Sequence, residues 1–122
     1  MKWYNASVLH GNKLGKTIGY PTLNLDETIL PKNKKQGVYA CLVTYKSKIY
    51  TGALYLGPRS VLGETKRVLE IHLLHFSEDI YNETVSFCLK HFIRGLISLS
   101  SLPELQKQLK IDIQQVKEAL KD

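Results

Sequence analysis

GVYACLVTY (residues 37–45), KSK (46–48) and IYTGALYL (49–56) are the stretches whose reading decides the fold. The two flanking runs are rich in β-branched and aromatic side chains, which fit a pleated, half-buried surface. Between them stand only Lys46, Ser47 and Lys48, too few residues for a crossover helix. An antiparallel hairpin is the expected outcome.

Working outward, Gly57 to Arg67 is polar and contains glycine, and a strand resumes over Val68 to Phe76. Its alternation predicts Glu70, His72, Leu74 and Phe76 on one face. Thr84 to Arg94 alternates again, with Val85, Phe87, Leu89, His91 and Ile93 pointing one way. Toward the N-terminus, Trp3 to His10 reads as a first strand that runs into a glycine-punctuated loop, Gly11 to Gly19. Pro21 to Leu25 reads as a short extended piece. After Ser98 the period changes: Leu102, Leu105, Leu109, Ile113, Val116 and Leu120 recur at threes and fours, and Ser101 with Glu104 forms a capping-box start. One or two C-terminal helices are expected. Short strands without crossover helices cannot build a parallel sheet, so the expected architecture is mainly β: an antiparallel closed or Greek-key barrel with helix packed on it.

The chain has 122 residues, 43% of them hydrophobic, and one domain over residues 1–122 is expected. No apolar run approaches the ~20 residues needed to span a bilayer, and MKWYNASVLHG lacks a signal-peptide core, so a soluble, cytoplasmic monomer with no membrane partner is expected. Cys41 and Cys88 lie in apolar stretches without metal-ligand spacing and are expected as buried thiols. The formal charge is +6. Its carriers gather before strands, at Lys13 and Lys16, at Lys32, Lys34 and Lys35, and at Lys66 and Arg67, which favours loops around a phosphate group over one helical stripe.

GNKLGKTIGYPTLNL (residues 11–25) carries most of the chemistry. It is not a Walker A loop: Gly11 and Gly15 are three residues apart instead of four, and Gly19 and Pro21 oppose the following helix that such a loop requires. What remains is a glycine loop with two lysines before an extended Pro21-Thr22-Leu23-Asn24. In an extended chain residues two apart share a face, so Thr22 and Asn24 present a hydroxyl and an amide oxygen in one direction. Such hard oxygen donors suit Mg²⁺ that is held mainly by phosphates and water.

Gly11-x3-Gly15-Lys16-x2-Gly19-x-Pro21-Thr22-x-Asn24-Leu25 resembles the signature opening of riboflavin kinases. The resemblance continues through Gly37 to Ala40, Gly57, Leu69 to Leu74, Asp79-Ile80-Tyr81, Ile93-Arg94 and Leu102 to Asp112, and so covers essentially the whole chain in order. It implies a six-stranded Greek-key barrel with a C-terminal helix, a stand-alone kinase domain that transfers the γ-phosphoryl of ATP to the ribityl 5′-hydroxyl of riboflavin, giving FMN and ADP. By residue it implies Gly11, Lys13, Gly15 and Lys16 over the ATP phosphates, Thr22 and Asn24 on Mg²⁺ and phosphate oxygens, and Glu70 as catalytic base. Leu73, His75 and Tyr81 are implied on the adenine side, and Arg94, Ile97 and Leu99 on the flavin side. An unpaired carboxylate among apolar strand residues is costly, which supports a role for Glu70. His72 is expected as a hydrogen-bonded barrel residue, and Tyr4, Tyr20, Tyr39, Tyr45, Tyr50 and Tyr55 as sheet packing.

The sequence departs from the family pattern at Tyr55, where Asn is frequent, at Arg59-Ser60-Val61-Leu62, where Pro-Thr-Phe is usual, and at Asn82, where Gly is usual. Arg94 is followed by Gly95-Leu96-Ile97 instead of an acidic residue and a Phe. The phosphate half is intact and the flavin half altered. Two other functions fit the same barrel: a non-catalytic flavin or nucleotide-binding module, and a small basic nucleic-acid binder. The second would want exposed aromatics along a groove and has no use for the glycine loop, so no nucleic acid is expected.

Overall fold

The computed structural model describes residues 1–11 and 14–121. Six strands are present: β1 (Tyr4–Ser7), β2 (Leu23–Leu25), β3 (Gly37–Tyr45), β4 (Lys48–Gly57), β5 (Val68–Leu73) and β6 (Thr84–Arg94). A short helix α1 (Leu14–Thr17) lies between β1 and β2, and α2 (Leu102–Ala119) closes the chain. The strand order is β1-β6-β3-β4-β5-β2, antiparallel throughout. β3, β4 and β5 follow one another and β6 returns beside β3, which is a Greek key. Just beyond β1, the Leu9 amide donates to the Asn24 carbonyl at 2.7 Å, so the two ends of the sheet meet and the barrel is nearly closed.

The period-2 reading sorts inside from outside. Leu69, Ile71 and Leu73 of β5 are buried, as are Tyr39, Cys41, Val43 and Tyr45 of β3 and Val85 and Phe87 of β6. With Leu23, Leu25, Leu54 and Leu56 they fill the barrel. Burial raises the Cys41 thiol far above its ordinary range, so it behaves as a small inert hydrophobe. Val38 and Ala40 are buried on the outer face of β3, on the side where α2 packs over β3, β4 and β6. Gly37 (φ +147°) begins β3 because a Cβ there would lie 2.0 Å from the Arg94 carbonyl oxygen.

Several local expectations are corrected. The first strand is shorter than Trp3 to His10, since the chain leaves the sheet after Ser7 and returns only at Leu9. Strand β5 ends at Leu73, not Phe76, because His75 takes a left-handed conformation (φ +57°). Phe76 therefore turns into the barrel end, edge-on to Tyr45 and Tyr50, and does not share the face of Glu70. The alternation in β6 breaks at two register shifts against β3, which leaves His91 exposed. Gly19 and Pro21 do not prevent one helical turn upstream of them, at Leu14–Thr17.

Helix α2 is a single helix. Ser101 Oγ accepts from the Glu104 amide at 3.3 Å, and the Glu104 carboxylate accepts from the Ser100 amide at 3.1 Å. The reciprocal half of the capping box thus falls one residue early. Bonds from the Ser100 side chain and backbone, with help from Ser101, hold the Glu104 carboxyl below its ordinary range.

The β3–β4 turn is tighter than Lys46 to Lys48: only Lys46 (φ +48°) and Ser47 (φ +67°) lie outside the strands, both left-handed. Lys46 is fixed there by the Tyr45 ring, 5.4 Å from its ammonium, and by Glu83 at 3.8 Å. Ser47 has no such compensation, and an L side chain in this conformation costs about 1–2 kcal/mol. Ser47→Gly is expected to stabilise the protein by about 0.5–1 kcal/mol after the added unfolded-chain entropy of glycine is subtracted. Urea denaturation measures it.

Candidate active site

β2 pairs with β5 so that Asn24 stands opposite Glu70. Because Leu23 and Leu25 point into the barrel, Thr22 and Asn24 point out, on the side to which Glu70 and His72 point. The Thr22 hydroxyl donates to Glu70 Oε1 at 3.0 Å, and Arg59 Nε donates to Glu70 Oε2 at 3.2 Å. Arg59 Nη2 donates to Asn24 Oδ1, also at 3.2 Å. Glu70 is therefore not alone among apolar groups, as its sequence neighbours suggest; its partners come from β2 and from the loop after β4. Gly11 abuts the Asn24 amide so closely that a Cβ would come within 2.1 Å of Asn24 Cγ. Only glycine leaves room there for chain and amide together.

Thr22, Arg59 and Glu70 line a cavity of about 120 Å³ between the barrel wall and α2, and Asn24 lies beside it, bound to Arg59. Thr22, Tyr55, Arg59, Glu70 and His72 line it from the barrel, and Leu105, Leu109 and Ile113 roof it from α2. Ile97 and Leu99 join the same lining, as do Gly15 and Arg94. The Arg94 guanidinium itself is spent on structure: Nε and Nη2 reach both oxygens of Asp112 at 2.7 and 2.8 Å, and Nη1 reaches the Gly95 carbonyl at 2.9 Å. Arg94 thus shapes the cavity wall by tying α2 to the barrel end.

Tyr55 and Tyr20 face this cavity, beyond the sheet-packing role expected of them. The Tyr55 hydroxyl donates to the Pro58 carbonyl, and burial raises its pKa. His72 Nδ1 lies 2.7 Å from the Pro21 carbonyl, which requires the proton on Nδ1 and leaves Nε2 unprotonated. Desolvation outweighs that bond and lowers the imidazole pKa.

Other expected residues fall elsewhere. Leu73 is buried and floors a smaller depression of about 40 Å³ with Pro21, Thr22 and Leu23. His75 and Tyr81 are exposed and line neither depression; Tyr81 stacks on His10 with ring centroids 3.4 Å apart. Lys16 is exposed in the last turn of α1, and Lys13 lies outside the described residues. The remaining basic clusters do not reach the cavity. Lys34 and Lys35 sit over the Tyr39 and Phe92 rings, Lys66 is exposed, and Arg67 is bound to Glu27 and to the Leu30 and Pro31 carbonyls.

Among the described residues no three His, Cys, Asp or Glu side chains gather as a metal cluster. The candidate donors are the Thr22 hydroxyl, the Asn24 amide oxygen and the Glu70 carboxylate. They are all oxygens, and two of them already hold a cation in the form of the Arg59 guanidinium. That donor set fits a hard divalent ion bound mainly through phosphates.

A family profile for riboflavin kinase (flavokinase) matches residues 3–120. This chain belongs to the riboflavin kinase family. It is 39% identical over 111 residues to the bifunctional riboflavin kinase/FMN adenylyltransferase of Haemophilus influenzae, covering 90% of this chain and 36% of that one. It is 34% identical to the RNA-binding riboflavin kinase RibR of Bacillus subtilis, covering 88% of this chain and 46% of that one. The chain thus spans less than half the length of these relatives. Among solved structures, riboflavin kinase from Trypanosoma brucei superposes with a TM-score of 0.66 at 24% identity over 98% of this chain and 80% of that one, and shares the fold. A Streptococcus pneumoniae protein described as a macrolide-efflux protein superposes with a TM-score of 0.76 at 29% identity, over 94% of this chain and 38% of that one. Among the described residues of this family member no helix is long and apolar enough to cross a membrane.

The residue that sequence reasoning missed is Arg59, noted only as part of a departing loop. Its signal is faint: an arginine just after the Gly57-Pro58 strand end, with Glu64 five residues on. Asp112 was visible only as the end of a helical match.

Two outcomes follow from this geometry. Asp112 is 1% exposed, and its removal leaves a half-buried guanidinium unpaired. Asp112→Ala is expected to cost about 3–5 kcal/mol in urea unfolding and to raise hydrogen exchange across Leu102–Ala119 above that of the strands. For His72 the folded pKa lies below the ordinary 6.5, so the unfolded chain binds its proton first as pH falls. The His72 contribution is complete above about pH 6.5 and is lost below it until the folded pKa is passed. His72→Gln is expected to flatten the fall in unfolding free energy from pH 7 to pH 5.

Proposed function

We propose that this domain transfers the γ-phosphoryl of ATP to the 5′-hydroxyl of riboflavin, giving FMN and ADP. The observation that carries this reading is the meeting of Thr22 and Glu70 on the wall of an apolar cavity, with Asn24 joined to them through Arg59 and Gly11 closed down on Asn24. Mg²⁺, held by Thr22 Oγ1, Asn24 Oδ1 and the phosphates, would supply charge neutralisation on the transferring phosphoryl group. The glycine loop, with Gly11, Gly15 and Lys16, is assigned to the ATP phosphates. The apolar roof of α2, with Ile97 and Leu99, is assigned to the isoalloxazine, whose flat apolar surface suits such a wall.

In the step itself the riboflavin hydroxyl oxygen bonds to the γ-phosphorus while the bond to the β,γ-bridging oxygen breaks, and ADP leaves with that electron pair. The hydroxyl proton passes to Glu70. Glu70 accepts one bond from Thr22 and one from Arg59, so a carboxylate with about four lone-pair sites still has room for the substrate hydroxyl. The setting proposed for this chemistry is a soluble, cytoplasmic kinase domain.

Chromatography of a mixture of the protein, riboflavin, Mg²⁺ and ATP tests the assignment, and FMN and ADP are expected in equal amounts. Glu70→Gln keeps a hydrogen-bond acceptor for Thr22 but cannot take the proton. It is expected to lower kcat by at least the ~10²-fold typical of losing a positioned base, with the fold retained by circular dichroism. Near-normal turnover in Glu70→Gln would remove Glu70 from the reaction.

A further inference from the structure

Arg59 makes three contacts that differ in kind. Nε reaches Glu70 Oε2 at 3.2 Å, Nη2 reaches Asn24 Oδ1 at 3.2 Å, and Nη1 reaches Glu64 Oε1 at 3.3 Å. The first two acceptors belong to the candidate reaction centre. The third lies outside it, where the Glu64 side chain is 43% exposed against 14% for Glu70 and 16% for Arg59. The guanidinium therefore sits between a dry pair of oxygens and a wet one.

The loop is constructed to keep the wet partner close. Leu62 and Gly63 amides donate back to the Arg59 and Ser60 carbonyls at 3.0 and 2.9 Å, and the Glu64 amide donates to the Arg59 carbonyl at 3.3 Å. Glu64 is thereby held beside Arg59 by main-chain bonds that do not involve the guanidinium. Arg59 also enters this turn without a side-chain capping bond of its own, so its only side-chain tie to the loop among the described residues is the bond to Glu64.

We propose that Arg59 is a positioning residue that occupies the cation place of the reaction centre before the metal nucleotide arrives. It holds Glu70 and Asn24 in register, then yields Asn24 to Mg²⁺ and leaves Glu70 to the substrate hydroxyl, moving onto Glu64. This rests on the phosphotransfer reading above and adds to it the resident cation that the divalent ion must replace. The physical reason is charge economy. Glu70 is a largely dehydrated carboxylate, and such a group is stable only with a cation beside it. A guanidinium and a divalent ion cannot both take Asn24 Oδ1 at contact distance, because they repel strongly where little water screens them. A fixed arginine would weaken metal binding outright, whereas an arginine with a second carboxylate in reach gives up its place cheaply. No bond forms or breaks; one cation replaces another.

The test is Mn²⁺ binding to the full chain in the presence of ADP, read from the electron paramagnetic resonance of free Mn²⁺ as the loss beyond that in a protein-free mixture of Mn²⁺ and ADP. No turnover is involved. Arg59→Gln removes the competitor and is expected to tighten Mn²⁺ with ADP by about threefold or more, while lowering the melting temperature of the metal-free protein. Glu64→Gln removes the parking carboxylate and is expected to weaken Mn²⁺ by a similar factor. A merely structural arginine would give weaker metal binding on removal, and so would an arginine that binds the phosphates. Weaker or unchanged binding in Arg59→Gln therefore overturns the proposal. If Arg59→Gln does not fold, Glu64→Gln decides alone: weakened Mn²⁺ supports the exchange and unchanged Mn²⁺ overturns it. Wild-type protein that holds no Mn²⁺ with ADP sinks the kinase reading and this proposal together. Wild type that holds it, with no gain in Arg59→Gln, sinks the exchange alone.

Discussion

The cavity exists because Arg94, the last residue of β6, grips Asp112 in the middle of α2 with both arms of its fork. A barrel of this size encloses no ligand of its own; its interior is filled by side chains such as Phe87, Leu54 and Ile71. Binding space must be made on the outside, between the wall and something held away from it. The bidentate pair fixes that spacing. Gln108 adds a bond to the same carboxylate at 2.9 Å, so Asp112 is fully satisfied although it is 1% exposed. Two charged groups buried this far would be a net cost without such geometry. The result is a helix whose Val116 seals against the barrel while Leu105, Leu109 and Ile113 stand over open space.

The reaction centre then follows from the two-residue period of strands. Every core residue of β2 and β5 commits its neighbours to the outer face: Leu23 and Leu25 set Asn24, and Leu69 and Ile71 set Glu70. Antiparallel pairing brings those two outward residues opposite each other, 46 residues apart in the chain. A slip of one residue would exchange a leucine for each of them, so the hydrophobic core and the chemistry are specified by the same register. Gly11 adds a steric condition to the same spot, since any larger residue would displace the Asn24 amide.

The parts legible in the sequence were those with a long local signal. The hairpin of β3 and β4, strand β6 and the α2 stripe each repeat their period over many residues, and their spans agree within a residue or so. What was not legible depended on one dihedral or one long-range partner. Nothing in Leu73-Leu74-His75-Phe76 announces that His75 turns left-handed, and so Phe76 was placed on the wrong face. The turn of α1 stood where Gly19 and Pro21 argued against helix, because breakers act on their own positions and not on a turn that ends before them. Thr22 and Asn24 could be singled out as polar residues on one face of an extended piece, and Glu70 through the family resemblance. Arg59 could not, because a loop has no period, and its value lies in reaching two strands that only the fold brings together.

The two ends of the cavity are secured by interactions of unequal strength. At the Arg94 side the roof is held by a charged, dehydrated, bidentate pair, the strongest class of polar contact available to side chains. At the glycine-loop side, α2 reaches the segment after α1 through a neutral bond, Gln106 Nε2 to the Ile18 carbonyl at 2.9 Å, on the exposed surface. A neutral exposed bond contributes about 0.5–1.5 kcal/mol, and water replaces it readily. The Arg94 end of the roof is therefore firmly held, while the end beside α1 can be adjusted at small cost. That division suits a phosphoryl transfer, in which the acceptor must be held in line and the charged donor must enter and leave.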